Sequence, residues 1–412
     1  MLINSGVQWL GDIPERWKIG RVKQAFYTTK TIVGDNAENY ERLALTLNGV
    51  IKRSKDDNGG LQPEKFEGYQ ILKENELVFK LIDLENVATS RVGLSPYTGI
   101  VSPAYIVLHS RNDTIPRYAE YYFLSMWMHE VFNHLGGDGV RSNISASALL
   151  NVPYLLVPET EQLIIANYLD DRCAKIDAII AEAKASIEEY KELKQSVIDK
   201  YILGFDDIYI KLNQLGTLKN GLNFTHFEEN GNIKFLGVGC FKDNTILSTE
   251  DSFDDIHIDF EIDDEYLLIN GDIIFVRSNG SKELVGRSIM VDNITFPLTY
   301  SGFCIRFRNQ HKEIVDNKFL LYYFRTSYFK ESLLKYSNDS TNINNLNQGM
   351  LNAIRISAPI KSAQLMVVEK LEKKLSTMED IISEKQSLIE DLEAYKKSLI
   401  YEVVTGKRKV VA

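Results

Sequence analysis

EYKELKQSVIDKYILG (residues 189–204) and DLEAYKKSLIYEVVTG (residues 391–406) stand 202 positions apart, with Lys194, Ser196, Ile198 and Gly204 answered by Lys396, Ser398, Ile400 and Gly406. Each closes a longer pattern. From Ala166 the positions Leu169, Cys173, Ile176, Ile180, Ala183, Ile187, Tyr190, Lys194, Val197 and Tyr201 alternate spacings of three and four without a slip. Adding 202 gives Val368, Leu371, Leu375, Met378, Ile382, Lys385, Ile389, Leu392, Lys396, Leu399 and Val403. Such an alternation over five heptads is the seam of a long amphipathic helix packed on another helix. Neither segment contains proline or an internal glycine, and the glycine after each suits the left-handed residue that ends a helix. Residues 166–201 would span roughly 54 Å as a helix.

A helix of this length cannot hide its apolar seam alone. The shared phase, length and terminal glycine predict that the two pack on each other as an antiparallel pair, giving the chain an internal pseudo-twofold repeat. The repeat extends upstream of each helix. NELVFK (75–80) matches GDIIFV (271–276), and GIVSPAYIVL (99–108) resembles PLTYSGFCIRF (297–307), both pairs read as strands. EYYFLS (120–125) matches LYYFRT (321–326) in an aromatic-rich helix. SNISASALLNV (142–152) resembles TNINNLNQGMLNA (341–353), an Asn-rich loop entering a short apolar element. The expected fold is mixed α/β (α+β): a first module over 1–158, a central helix over 159–204, a second module over 205–361, and a C-terminal helix and tail over 362–412.

Length alone suggests about three domains for 412 residues, and 44% hydrophobic with 25% charged residues is ordinary for a globular protein. No run reaches the roughly 18 apolar residues of a membrane span, and MLINSGVQWLGDIPERW (1–17) lacks the basic start and apolar core of a signal peptide. Three scattered cysteines, Cys173, Cys240 and Cys304, predict a reducing cytoplasmic setting without a disulfide framework or zinc cluster. The net charge of −10 argues at first against nucleic acid, whose phosphates attract Lys and Arg. Its distribution weakens that objection. Nine of the 21 acids in 205–361 lie in EDSFDDIHIDFEIDDE (250–265), and without that stretch the segment holds 16 basic against 12 acidic residues. The stretch itself reads as a solvated loop and strand edge.

The opening GVQWLGDIPERW (6–17), GIVSPAYIVL, VPETEQLIIANYLD (157–170) and the closing LIYEVVTGK (399–407) resemble the specificity subunit of a Type I restriction–modification system, and their order with the duplicated layout extends the resemblance over essentially the whole chain. It implies two target-recognition domains, each reading one half of a split double-stranded DNA site. It implies a helical spacer that docks two methyltransferase subunits, to which restriction (translocase) subunits add. S-adenosylmethionine, and ATP with Mg for restriction, would then belong to those partners, leaving this chain non-catalytic and without a cofactor, a metal or a membrane partner. One departure stands at the helix entries: Glu161 before Gln162 becomes Ala363 before Gln364, so the two helix starts need not be held alike.

The chemistry-bearing motifs agree with a non-catalytic chain. FLGVG (235–239) has the F-x-G-x-G form of a methyltransferase cofactor loop, yet CFKDNTILSTED follows instead of an amphipathic helix, and no N-P-P-[FY] or D-P-P-[FY] tetrapeptide occurs. The E-x-K triplets at 182–184 and 189–191 fall on the long helix, and His129 and His134 are spaced poorly for one metal. LGGDG (135–139) lacks the ending of a P-loop and reads as a flexible loop beside DNA. Base reading needs Arg, Asn, Gln and Ser on loops, with Lys and Arg on phosphates. The candidates are Lys52, Arg53, Arg91, Arg141, Ser142 and Asn143 in the first module, and Arg277, Ser278, Asn279, Lys282, Arg287, Thr341 and Asn342 in the second. Leu169, Ile176, Ile180, Ile187, Tyr190 and Val197, with Leu371, Met378, Ile382, Ile389, Leu392 and Leu399, are the candidate helix-pairing and partner-interface residues. Two other readings remain open: a stand-alone S-adenosylmethionine-dependent DNA methyltransferase using FLGVG, and a coiled-coil scaffold whose modules bind peptide or glycan.

Overall fold

The two apolar seams form two helices of 44 residues each, Glu159–Ile202 and Lys361–Val404, or about 66 Å at the standard rise. The computed structural model describes residues 1–410 apart from 48, 58–64, 83–90, 112, 136–142, 224–230, 242–244, 279, 281–283 and 336–344, and leaves the Arg91 side chain undescribed. Both helices are followed by glycine in the left-handed region, Gly204 at φ 91° and Gly406 at φ 73°. Along the first seam Leu169, Ile176, Ile180, Ile187 and Val197 are buried and Tyr190 is half-buried; along the second Leu371, Met378, Ile389 and Leu399 are buried, with Ile382 and Leu392 half-buried. Ala183 is buried where its repeat partner Lys385 is half-buried.

The chain packs as two compact units, residues 1–183 with 386–412 and residues 184–385. Each unit therefore takes the first half of one long helix and the second half of the other, as antiparallel pairing requires. The same ion pair occurs in both: Lys396 Nζ lies 2.6 Å from Asp177 in the first unit, and Lys194 Nζ lies 2.7 Å from Glu379 in the second.

In the first unit, Phe26–Tyr27, Ile106–Ser110, Leu77–Lys80 and Arg91–Leu94 form a four-stranded antiparallel sheet in that spatial order. The helix Pro116–Met128 brings Tyr118, Tyr122 and Phe123 into a fully buried aromatic core with Phe26, Phe79 and Tyr154. In the second unit Gly216–Asn220, Cys304–Asn309, Ile273–Val276 and Ser288–Val291 repeat that order, and Ile246–Leu247 is added at the edge. A three-stranded sheet of Asp254–Ile256, Ile233–Leu236 and Leu298–Tyr300 lies beside it in the topology.

Two local expectations need correction. GIVSPAYIVL and PLTYSGFCIRF are each two strands in different sheets: Gly99–Val101 and Ile106–Ser110, Leu298–Tyr300 and Cys304–Asn309. A serine-based turn divides both, Ser102 Oγ accepting from Ala104 N at 3.3 Å and Ser301 Oγ from Phe303 N at 3.2 Å. EYYFLS continues one helix, whereas LYYFRT ends the helix Asn317–Tyr323, because Thr326 Oγ1 accepts from Phe329 N at 3.2 Å and starts a new helix, Ser327–Leu334.

A buried glutamine in the first turn of each long helix joins it to its module. Gln162, 4% exposed, accepts from Ile115 N (2.9 Å) and donates to Asp113 O (3.0 Å) and Val157 O (2.7 Å). Gln364, 0% exposed, accepts from Asp316 N (2.8 Å) and donates to Ile314 O (3.0 Å) and Pro359 O (2.8 Å). Ile115 and Asp316 are the residues that cap the module helices Pro116–Met128 and Asn317–Tyr323, so each glutamine also sets where a module helix begins. An ion pair flanks each joint, Arg117 with Asp170 at 2.6 Å and Lys318 with Glu372 at 3.0 Å.

The Glu161/Ala363 difference has a local reason. Glu161 holds the N-terminal segment, accepting from Arg16 at 2.6 and 2.8 Å and from Trp17 Nε1 at 3.0 Å. These bonds hold its carboxyl below the usual range. The same segment receives the end of the second long helix within the first unit, where Tyr401 OH donates to Trp9 O at 3.0 Å and Lys407 Nζ to Leu10 O. Among the described residues no helix is long and apolar enough to cross a membrane.

Candidate nucleic-acid interface

The strand register equates Leu77 with Ile273 and Leu94 with Met290, so Arg91 and Arg287 occupy the same place. The strands are joined by connections of equal length, 81–90 and 277–286, of unrelated sequence. The first carries Asp83 and Glu85 with no basic residue; the second carries Arg277 and Lys282 with Glu283.

In both units a backbone hydrogen bond ties this connection to the end of the Asn-rich loop. Ile144 N donates to Leu81 O at 3.2 Å, and Leu346 N donates to Arg277 O at 2.8 Å. A bridge between Ile82 and Asn143 adds to the first. Behind it, Ser145 Oγ caps the helix Ala146–Asn151 through Ala148 N, and Asn347 Oδ1 caps Gln348–Ala353 through Met350 N. The serine turn is the third member of the group. In the first unit, Pro103, Ala104 and Tyr105 line a cavity of about 490 Å³ with Leu81, Ile82 and Asn143. In the second, Arg277 N donates to Phe303 O at 2.8 Å.

The structure thus brings Asn143 beside the first connection, and Arg277, Ser278 and Arg287 onto the second. Arg277 and Ser278 are half-buried; Val276 N donates to Arg287 O at 3.0 Å, closing the base of the loop. Arg91 pairs with Lys80 at the corresponding base. Lys52 and Arg53 are not part of this group. They end the hairpin of Leu43–Thr46 and Gly49–Lys52, where Lys52 Nζ sits 5.3 Å from the centre of the Tyr97 ring and Arg53 Nε donates to Asp57 at 2.6 Å. Arg141, Ser142, Asn279, Lys282, Thr341 and Asn342 lie outside the described residues.

Sequence reading missed the turn residues Ala104 and Phe303 and the polar side chains Asn220 and Gln348, which are bonded at 3.1 Å. The Ser-Pro and Ser-Gly pairs at 102–103 and 301–302 were the available signal, since both dipeptides punctuate strands.

The decoy motifs take ordinary places. FLGVG runs from the strand Ile233–Leu236 into a three-residue 3₁₀ turn, Val238–Cys240, and not into an α-helix. Glu182, Lys184, Glu189 and Lys191 are exposed on the long helix, and His129 Nδ1 bonds Ser125 O at 2.9 Å. The acidic stretch forms the edge strand Asp254–Ile256 and short exposed turns. Among the described residues no group of three His, Cys, Asp or Glu could hold a metal ion.

Residues 209–391 match the family model of the Type I restriction modification DNA specificity domain. Over 401 residues the chain is 24% identical to the Type I restriction enzyme StySPI specificity subunit of Salmonella potsdam, covering 90% of this chain and 84% of the relative. It is 26% identical over 108 residues to the Type I restriction enzyme EcoKI specificity subunit of Escherichia coli (strain K12), covering 26% of this chain and 22% of that one. A chain solved in work on complex assembly and conformational transition of the type I R-M system aligns with a TM-score of 0.74 at 13% identity, over 96% of this chain and 99% of its own. The HsdS subunit from Thermoanaerobacter tengcongensis aligns with a TM-score of 0.54 at 13% identity, over 96% and 98%. At those identities the structural likeness is one of fold. The family model over residues 209–391, the relative matched over 401 residues and the repeated fold agree in likening the chain to the specificity subunits of Type I restriction enzymes.

Proposed function

We propose that this chain is the DNA sequence-recognition subunit of a Type I restriction–modification complex, and that each module reads one half of an asymmetric, bipartite double-stranded target. One observation carries the reading. The same backbone bond joins the connection to the end of the Asn-rich loop in both units, with the serine turn beside them, while the residues they present differ in charge and shape. A constant scaffold under variable polar loops is how one architecture serves two base sequences. Arg91 and Arg287 sit at the same register in both modules and suit phosphate contact; Asn143, Arg277 and Ser278 vary and suit base edges.

The long helices act as spacer and docking surface. Their seam residues face each other within each unit, and apolar side chains off the seam stay exposed at matching repeat positions, Leu163 with Leu365 and Leu193 with Tyr395. Such residues fit two methyltransferase subunits, with restriction subunits added to that assembly. Those partners supply the chemistry, with S-adenosylmethionine for methylation and ATP with Mg for restriction, and this chain supplies none. The complex works in the cytoplasm.

The test is co-expression with the methyltransferase partner and methylation mapping of the host genome. A single split motif should appear with this chain and vanish without it. Arg277→Ala should lower affinity about 10- to 100-fold, the effect of losing one good base contact, and relax sequence preference in one half-site alone. Equal loss on both half-sites and on unrelated DNA, measured at one fixed salt concentration, would sink the module assignment.

A further inference from the structure

The serine turn at the head of the central strand is built alike in both units but presents a different side chain. Register equates Ile106, opposite Phe79, with Ile305, opposite Phe275, so Ala104 corresponds to Phe303. Tyr105 N donates to Ser102 O at 3.1 Å, and Cys304 N donates to Ser301 O at 2.8 Å. In the second unit the turn is fixed further, by Gly302 N to Leu222 O and Arg277 N to Phe303 O, both 2.8 Å. The Asn223 side chain packs over Gly302 where a Cβ would stand. On this rigid support Phe303 is 57% exposed, although Ser301, Gly302 and Cys304 around it are buried.

An exposed phenylalanine forgoes the burial that usually makes the residue useful to a fold. Here the exposed residue stands on a turn whose backbone is bonded to Arg277, at the junction of the candidate reading loops. We infer that Phe303 is a specificity-determining residue of the second module, and that its ring takes the C5 methyl group of a thymine in the major groove. The inference rests on the DNA-reading function proposed above. Phenylalanine is one of the side chains that make apolar contact with that methyl, and the neighbours Arg277, Asn220, Asn223 and Gln348 are of the types that bond base edges. Phe303 is only partly exposed, which favours contact with a base edge over insertion between stacked bases, where a wedge must present most of its surface. Ala104 holds the same position in the first module with a much shorter side chain, as a position that varies with the half-site should.

The experiment uses the complex of the full chain with its methyltransferase partner and a duplex carrying the mapped target. Each thymine of the second half-site is replaced in turn by deoxyuridine, which removes only the methyl group. The wild-type complex should lose about fourfold in affinity at one such thymine, the worth of one buried methyl. Phe303→Ala should bind the thymine duplex more weakly and lose that discrimination, while keeping its dependence on the first half-site and its thermal unfolding midpoint. Phe303→Leu should restore part of the discrimination. The inference is overturned if Phe303→Ala distinguishes thymine from deoxyuridine as the wild type does, if the variant loses equally on unrelated DNA, or if no thymine of that half-site is sensitive. A wild-type complex without sequence preference would instead remove the DNA-reading function itself.

Discussion

Gln162 offers the sharpest test of how a module is held to its helix. Its side chain makes three hydrogen bonds at 2.7–3.0 Å from a site that is 4% exposed, all to backbone groups. Gln162→Ala strands one N–H and two carbonyls, and a buried polar group left unpaired costs about 1–3 kcal/mol. Water entering the space vacated by the amide offsets part of this, so the expected loss is about 3 kcal/mol. One bond restrains Asp113, whose backbone is in the left-handed region at φ 69°, so its release removes a conformation that costs on the order of 1 kcal/mol to hold. For a unit of this size the loss corresponds to roughly 6–12 °C in Tm. All three tryptophans, Trp9, Trp17 and Trp127, belong to the same unit, so their emission during urea or thermal unfolding reports on it directly. Gln162→Glu separates the two halves of the account, because it retains the acceptor for Ile115 N but turns a carboxylate toward two carbonyls. A shift below about 1 kcal/mol for Gln162→Ala, or an unperturbed Gln162→Glu, would refute the reasoning.

Four further outcomes follow from the same geometry. Gln364→Ala should speed amide exchange at Asp316 and through the start of Asn317–Tyr323, and protected amides there would contradict the role given to Gln364. Glu120 is buried, accepts from Leu94 N at 2.9 Å and pairs with Arg117, whereas its repeat partner is Leu321; Glu120→Ala should cost about 2–4 kcal/mol, measured by denaturant unfolding, with much less lost in Glu120→Gln. The Glu161 carboxyl, held down chiefly by its bond to Arg16, contributes stability that is complete above the ordinary glutamate pKa and fades as pH falls through its lower folded value. Glu161→Gln should therefore flatten the acid side of the unfolding curve below about pH 4, by under about 1 kcal/mol because Arg16 is largely exposed. Lys194→Glu should cost less than about 1 kcal/mol in thermal unfolding, and Glu379→Lys in the same chain should restore it.

The long helices were legible because their signal is redundant: each seam position repeats an independent three–four spacing, and the whole pattern occurs twice. The seam also predicts too narrow a buried stripe at the helix ends. Ile198, Ile202, Ile400 and Val404 are buried off the seam, because there the helix faces the module as well as the other helix. The modules were legible only as matched strands. A two-atom event, a serine hydroxyl accepting an amide two residues on, divides GIVSPAYIVL and PLTYSGFCIRF, and period-two hydrophobicity does not register it. The glutamines were visible as residues but not as joints, since their partners are backbone atoms 5 to 50 positions away. Arg91 and Arg287, chosen by residue type and expected loop position, occupy equivalent register positions in the two units. Lys52 and Arg53, chosen on the same ground, lie apart from that group, with the Tyr97 ring and Asp57 as partners.

The backbone character of the glutamine joint bears on how such a protein changes over generations. A fastening that reads only main-chain N–H and C=O groups asks nothing of the side chains it grips, and every polypeptide carries those groups. Change in the module's side chains at these positions therefore leaves the glutamine's own grip intact, and only the flanking ion pair and the apolar contacts of the helix constrain which residues the module may carry there.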